Sequence, residues 1–213
     1  MKTFTMPMRK IAESTVRRLS LYLRFLEEFE GQGIETVSSG ALAARGGTTS
    51  AQVRKDLSFF GSFGKRGLGY SVVELVRRLR EILGLGRVYR VAMIGAGKIG
   101  SALVQYRGFR QRGFEIVAIF DSDPTKIGRA WNGLTVKDVR DLDAELRLHP
   151  VEIAVIVTPG DVAQQVTERC VAQGVKAILN FTPVQLSVPD DVVVKTVNLA
   201  LELETLSYAL TNR

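Results

Sequence analysis

The stretch Gly95-Ala96-Gly97-Lys98-Ile99-Gly100 restricts the fold more than any other part of this 213-residue chain. It stands between a short apolar run, residues 91–94, and a segment of helical spacing, residues 99–106. A strand that turns into a helix through three glycines gathers backbone N–H groups around one point, a ready site for a phosphate. Gly95 permits the tight turn, Gly97 lets the main chain approach a pyrophosphate, and Gly100 lets the helix pack close to the strand. The whole loop, Ala96, Lys98 and Ile99 included, is therefore the expected cofactor contact. A glycine triplet alone is common by chance. Here a second apolar run, residues 116–120, ends in Asp121, 26 residues after Gly95. A carboxylate at that strand end accepts hydrogen bonds from adenine ribose hydroxyls and repels a 2′-phosphate. Ser122 and Asp123 add no cation, so NAD(H) is expected over NADP(H).

Further apolar runs at 153–157 and 177–179, and one more at 192–197, are separated by segments long enough for crossover helices. Buried parallel strands in an α/β sheet give this pattern. The expected fold class is α/β, with a Rossmann-type domain over 85–197 and a terminal amphipathic helix in 198–213. Thr158 and Pro159 follow one strand, and Asn180 and Phe181 follow the next. Ligands of open α/β sheets bind at such strand ends, so these four are expected to line the nicotinamide half of the site. Each pair also fits an ordinary turn.

The first 84 residues read differently. Val16, Leu19, Leu23, Leu26 and Phe29 recur every three or four positions within 11–30, one buried face of a helix. Ser38 or Ser39 can cap a second helix running through 44, and Gly46-Gly47 supplies a turn. Thr49 or Ser50 caps a third, in which Val53, Leu57 and Phe60 face inward and Gln52, Arg54, Lys55 and Ser58 face out. Three helices with a tight turn before the third predict a helix-turn-helix. Glycines at 61, 64, 67 and 69 then allow an exposed hairpin, a wing with Lys65 and Arg66 at its tip and Phe63 and Tyr70 beside it. A helix over 72–83 and glycines at 84 and 86 close the domain. Residues 1–90 hold 16 Lys and Arg against 8 Asp and Glu, whereas 91–213 hold 13 against 14. The net charge of +7 thus sits where a DNA backbone would lie. Ser50, Gln52, Arg54, Lys55, Ser58, Lys65, Arg66 and Tyr70 are the expected DNA contacts, and a pseudo-palindromic site read by a homodimer is the expected geometry.

Cys170 is the only cysteine and His149 the only histidine. Neither a disulfide within the chain nor a cysteine metal site can form, and His149, in Leu148-His149-Pro150, reads as a solvated loop residue. No metal and no catalytic residue is expected. No apolar run approaches the roughly 20 residues that span a bilayer, so cytoplasmic residence is expected. Two other readings stay open: an NAD-dependent oxidoreductase, and a coenzyme-A or other nucleotide-binding module on the same fold.

Gln52-Val53-Arg54-Lys55-Asp56-Leu57-Ser58-Phe59-Phe60-Gly61 and Phe63-Gly64-Lys65-Arg66-Gly67-Leu68-Gly69-Tyr70 carry a resemblance to a known family. Together with residues 95–100, Tyr106-Arg107-Gly108-Phe109, Phe120-Asp121 and residues 180–184, they resemble the redox-sensing transcriptional repressors called Rex over nearly the whole length. The resemblance implies a homodimer that binds its operator when NADH is scarce and leaves it when NADH binds. It also implies a C-terminal helix that crosses to the other subunit, bringing Leu199 to the nicotinamide pocket. Arg24, Tyr106 and Asn198 match positions resembling a polar link between the domains. Asn198 stands where the family often has Asp, which weakens that link unless another acid such as Glu202 replaces it.

Overall fold

Helix α1 (Glu13–Gly31) forms along the expected apolar stripe, burying Leu19, Tyr22, Leu23, Leu26 and Phe29. The computed structural model describes residues 11–61, 63–65 and 68–212. Val16 departs from expectation: it is 41% exposed, and Thr15 is buried in the first turn instead. The stripe there steps back four residues from Leu19 rather than three, and Arg18 Nη2 donates to Thr15 Oγ1 at 3.1 Å.

Strand β1 (Thr36–Val37) leads to α2 (Ser39–Gly46) and α3 (Ser50–Ser58). Ser38 caps α2, its side chain accepting from Ala41 N, and Thr49 caps α3, accepting from Gln52 N. Each cap satisfies an N–H that has no partner inside its helix. The wing is a short antiparallel pair, β2 (Gly64–Lys65) and β3 (Gly69–Ser71), with Gly64 opposite Tyr70. β1 joins the other edge of β3 as a third strand that the sequence pattern does not announce. Helix α4 (Val72–Ile82) closes the core with Val72, Leu75, Val76 and Leu79. The chain divides into two units, Met1–Arg87 and Val88–Arg213.

The second unit begins with β4 (Tyr89–Ile94), α5 (Lys98–Gln105), α6 (Arg107–Gln111) and β5 (Phe114–Asp121). A hairpin follows, β6 (Ala130–Trp131) and β7 (Leu134–Asp138), then α7 (Leu142–Leu148). β8 (Ile153–Ile156), α8 (Gly160–Ala172), β9 (Ala177–Asn180), β10 (Val193–Thr196) and α9 (Leu199–Thr211) complete it. The strand order is β10-β9-β8-β4-β5-β7-β6, parallel throughout except for the β6–β7 hairpin at one edge. The chain winds outward in both directions from β4 and β8, which lie side by side. A crevice opens at the carboxyl ends of such a pair.

One face of the sheet packs Leu142 and Leu146 of α7 and Ala163, Val166 and Cys170 of α8 against Ala92, Phe120, Ala154 and Ile156. The other sets Val91, Met93, Ile119 and Val155 beneath Val104 of α5. The central strands are apolar on both faces, hence their nearly unbroken hydrophobic runs. Cys170 is fully buried, and burial pushes its thiol up to about 12. None of the residues of α9 is buried, and Leu199, Leu201, Leu203, Leu206, Tyr208 and Leu210 are all more than half exposed.

Candidate functional site

The glycine loop lies at the opening between β4 and β8. Gly95 has φ 110°, and a Cβ there would stand 2.7 Å from the Val157 carbonyl oxygen. A Cβ on Gly100 would overlap the Gly95 carbonyl oxygen, so the helix can start this close to the strand only as glycine. Above Gly97 there is open space. Gly97 is also the N-cap of α5 and brings no side chain to its free N–H groups. An uncapped helix N-terminus opening on space is what a diphosphate requires.

Thr158 supplies a second sign of an absent partner. Its Oγ1 is buried yet has no hydrogen bond, a cost a folded protein seldom bears without reason. It lies beside Gly95, at the end of β8, so a ligand in the crevice can satisfy it. Pro159 is exposed at the N-cap of α8, and Phe181 is half-buried beyond β9. The residues present therefore fit a dinucleotide: donors for the diphosphate at Gly97–Gly100, a hydroxyl at Thr158 and an apolar wall from Pro159 and Phe181.

Two expectations need correction here. Asp121 is already engaged within the protein, and its carboxylate keeps a lone pair for a ribose hydroxyl. Its Oδ2 accepts from Ala96 N at 2.6 Å and its Oδ1 from Asp123 N at 2.8 Å, so it ties the glycine loop to β5. Lys126 Nζ stands 3.4 Å from both Asp121 and Asp123, so a cation is present after all. Two carboxylates against one ammonium keep the corner negative, and the bias against a 2′-phosphate survives. Asn180 is fully buried and serves its own loop: its Nδ2 donates to Val184 O, and its Oδ1 accepts from Thr182 N and Oγ1. It shapes the loop holding Phe181 rather than facing a ligand.

In the first unit, Arg54, Lys55 and Ser58 lie exposed on α3, with Ser50 and Gln52 half-exposed at its start. Arg54 Nη1 donates to Ser39 Oγ at 3.1 Å, and Ser58 Oγ to Lys55 O. Lys65 has its backbone in β2; its side chain and Arg66 lie outside the described residues. Tyr70, expected on the DNA face, is only 9% exposed and belongs to the core, where burial raises its hydroxyl pKa. Its alternation with Gly69 and Ser71 on a three-residue strand turns it inward.

The sequence reading missed Asp56. It is fully buried and ionic, with Arg18 Nε at 2.6 Å from Oδ2 and Arg18 Nη2 at 2.7 Å from Oδ1. Tyr22 Oη donates to Oδ2 and Gln52 Nε2 to Oδ1. Burial works against the charge, but these four hydrogen bonds outweigh it and hold Asp56 below the usual carboxylate range. Burial and the bond to Asp56 push Tyr22 up to about 12. The expected interdomain group divides between the units: Arg24 is exposed on α1, Tyr106 is 60% exposed beside α5, and Asn198 caps α9 by accepting from Ala200 N and Leu201 N. Among the described residues, no group of His, Cys, Asp and Glu could hold a metal, and no helix is long and apolar enough to cross a membrane.

A winged helix-turn-helix unit joined to an α/β unit with an open phosphate loop defines a ligand-responsive transcription regulator. Residues 10–58 match a family model for a DNA-binding protein N-terminus, and residues 87–184 match the CoA binding domain. The redox-sensing transcriptional repressor Rex of Carboxydothermus hydrogenoformans is 50% identical over 93% of this chain and 96% of its own. Crystal structures of RSP, a Rex-family repressor, are equally extensive matches. The complex with β-NADH shares 37% identity at TM-score 0.87, covering 95% of each chain. The complex with β-NAD⁺ and operator DNA shares 38% at TM-score 0.91, covering 95% of this chain and 94% of the other. The chain belongs to the Rex family of redox-sensing transcriptional repressors.

Proposed function

We propose that this chain is an NADH-responsive repressor that binds a pseudo-palindromic operator as a homodimer in the cytoplasm and catalyses no reaction. What carries the reading is its likeness, along nearly the whole chain, to one protein crystallised both with NADH and with NAD⁺ plus operator DNA. The domain assignment that goes with it is residues 1–84 for DNA, 85–197 for the cofactor and 198–213 for pairing. Pairing is supported by α9, whose apolar side chains stand in solvent. A second apolar surface supports it too, a recess of about 350 Å³ over the sheet beside Phe109, Val155, Leu179 and Val193.

The oxidised nicotinamide ring is cationic and the reduced ring is neutral. An apolar pocket made by Pro159, Phe181 and the Leu199 of a second copy penalises the cation. NADH then favours one dimer arrangement and release from DNA, and a preference of about 1.4 kcal/mol is enough for a tenfold shift. The polar link among Arg24, Tyr106 and Asn198 is part of this proposal. Because Asn198 Oδ1 already caps its own helix, Glu202 in the first turn of α9 is the better acid for Arg24.

Mobility shifts on a palindromic promoter site, with and without NADH, test the reading, together with titration of both cofactors. Release by NADH but not by NAD⁺ is expected; equal affinities would remove the redox part and leave DNA binding intact. The match to the CoA binding domain favours one second reading, a coenzyme-A-responsive regulator. Competition between NADH and coenzyme A separates the two.

A further inference from the structure

Resting on the DNA-binding reading, we infer that the buried Asp56 turns Gln52 into a reader that prefers amino bases, adenine or cytosine, over keto bases. Gln52 is the third residue of α3, and the N-terminal residues of a reading helix are those that reach base edges in the major groove. A glutamine amide ordinarily serves either way round, because its oxygen accepts and its nitrogen donates, and it can flip to suit the base. Here one end is already committed. Gln52 Nε2 donates to Asp56 Oδ1 at 2.8 Å.

The commitment is hard to reverse. Arg18 donates to both oxygens of Asp56, and Tyr22 adds a donor to Oδ2, so Asp56 is a carboxylate with no proton to offer. A flipped amide would set Gln52 Oε1 against Asp56 Oδ1 with no hydrogen between them, inside a fully buried group. Among the described residues, no hydrogen bond within the protein goes to Gln52 Oε1, and this oxygen is not among the buried unpaired atoms. The outward face of the amide is therefore the acceptor, with one Nε2 hydrogen left beside it. That pair matches adenine, whose N6 donates and whose N7 accepts, and its acceptor half matches the N4 amine of cytosine. Guanine and thymine present O6 and O4, which only the one remaining Nε2 hydrogen can meet, leaving Oε1 without a donor from the base. Asp56 is thus a positioning residue for base choice as well as part of the core.

Full-length protein is used to select sites from random-sequence duplexes, for the wild type and for Gln52→Met. Expected is one position per half-site at which the wild type takes adenine or cytosine on one strand and Gln52→Met takes any base. Replacing an adenine there by purine, which lacks the amine, should weaken wild-type binding about tenfold; this needs no variant and decides the matter if Gln52→Met binds poorly. A guanine or thymine preference at that position overturns the inference, as does a purine duplex bound as well as the adenine duplex. A clear palindrome with identical wild-type and variant preferences also overturns it while leaving the DNA-binding reading standing. Absence of any selected site removes that reading and this inference together.

Discussion

The two units differ in which polar groups and helix starts they leave open. In the first, Asp56 has four donors on its two oxygens, and Ser38, Thr49 and Ser71 cap α2, α3 and α4. In the second, α5 and α8 start without side-chain caps, Thr158 Oγ1 has no partner, and α9 holds its leucines in solvent. Apart from the start of α1, the first unit is finished by its own side chains. The other is left open where a ligand and a second copy would finish it. A surface that must hold one shape against a duplex gains from internal satisfaction, whereas a sensor must leave something for its ligand to supply.

The sharpest way to break the contrast is Asp56→Ala. Removing the carboxylate leaves the Tyr22 hydroxyl and the Gln52 amide without their acceptor, at about 1–3 kcal/mol each, while Arg18, 27% exposed, can turn to water; the sum is a large part of the roughly 5–15 kcal/mol that holds a domain. Denaturant melting should show the first unit unfolding early and DNA binding lost, while NADH binding by the second unit persists. Acid probes the same group. Its carboxyl is held below the ordinary value, so its contribution is present above about pH 4 and lost as pH falls through the lowered value. Denaturant melts followed by circular dichroism should accordingly show stability falling as the medium turns acid, and Asp56→Asn, lower at neutral pH, should lose that part of the dependence.

The next largest effect is expected in α9. Leu203→Asp with Leu206→Asp should raise the dimer dissociation constant more than about a hundredfold, read by analytical ultracentrifugation, since charges would enter an apolar contact. The melting of the isolated subunit should barely move, because these leucines bury nothing within it. Thr158→Val comes third. It should leave the free protein unchanged or slightly firmer and weaken NADH about fivefold by calorimetry, the reverse of what a satisfied hydroxyl would give. Thr49→Ala is the smallest, about 1 kcal/mol lost from the first unit for one missing cap.

How far the sequence led follows the kind of constraint involved. The turn at Gly95 and the contact at Gly100 were legible because backbone sterics admit so few residues there. The caps at Ser38 and Thr49 and the stripe of α1 were legible because they are local. Asp56 was not: an acid between Lys55 and Leu57 reads as exposed until Arg18, 38 residues earlier, is brought against it. The same holds for Asn180, whose partners are the carbonyl of Val184 and its own loop, and for Asp121, captured by Ala96 N. Strands β1 and β6, two residues each, carry too little pattern to detect.

Cys170 has a consequence of its own. With its sulfur sealed under α8 and its ionisation displaced far into alkali, hardly any thiolate exists at neutral pH for peroxide or an alkylating agent to attack. Whatever this protein registers about oxidants does not pass through the Cys170 thiol, and the same seclusion makes the residue a clock, tagged by iodoacetamide only when the second unit opens.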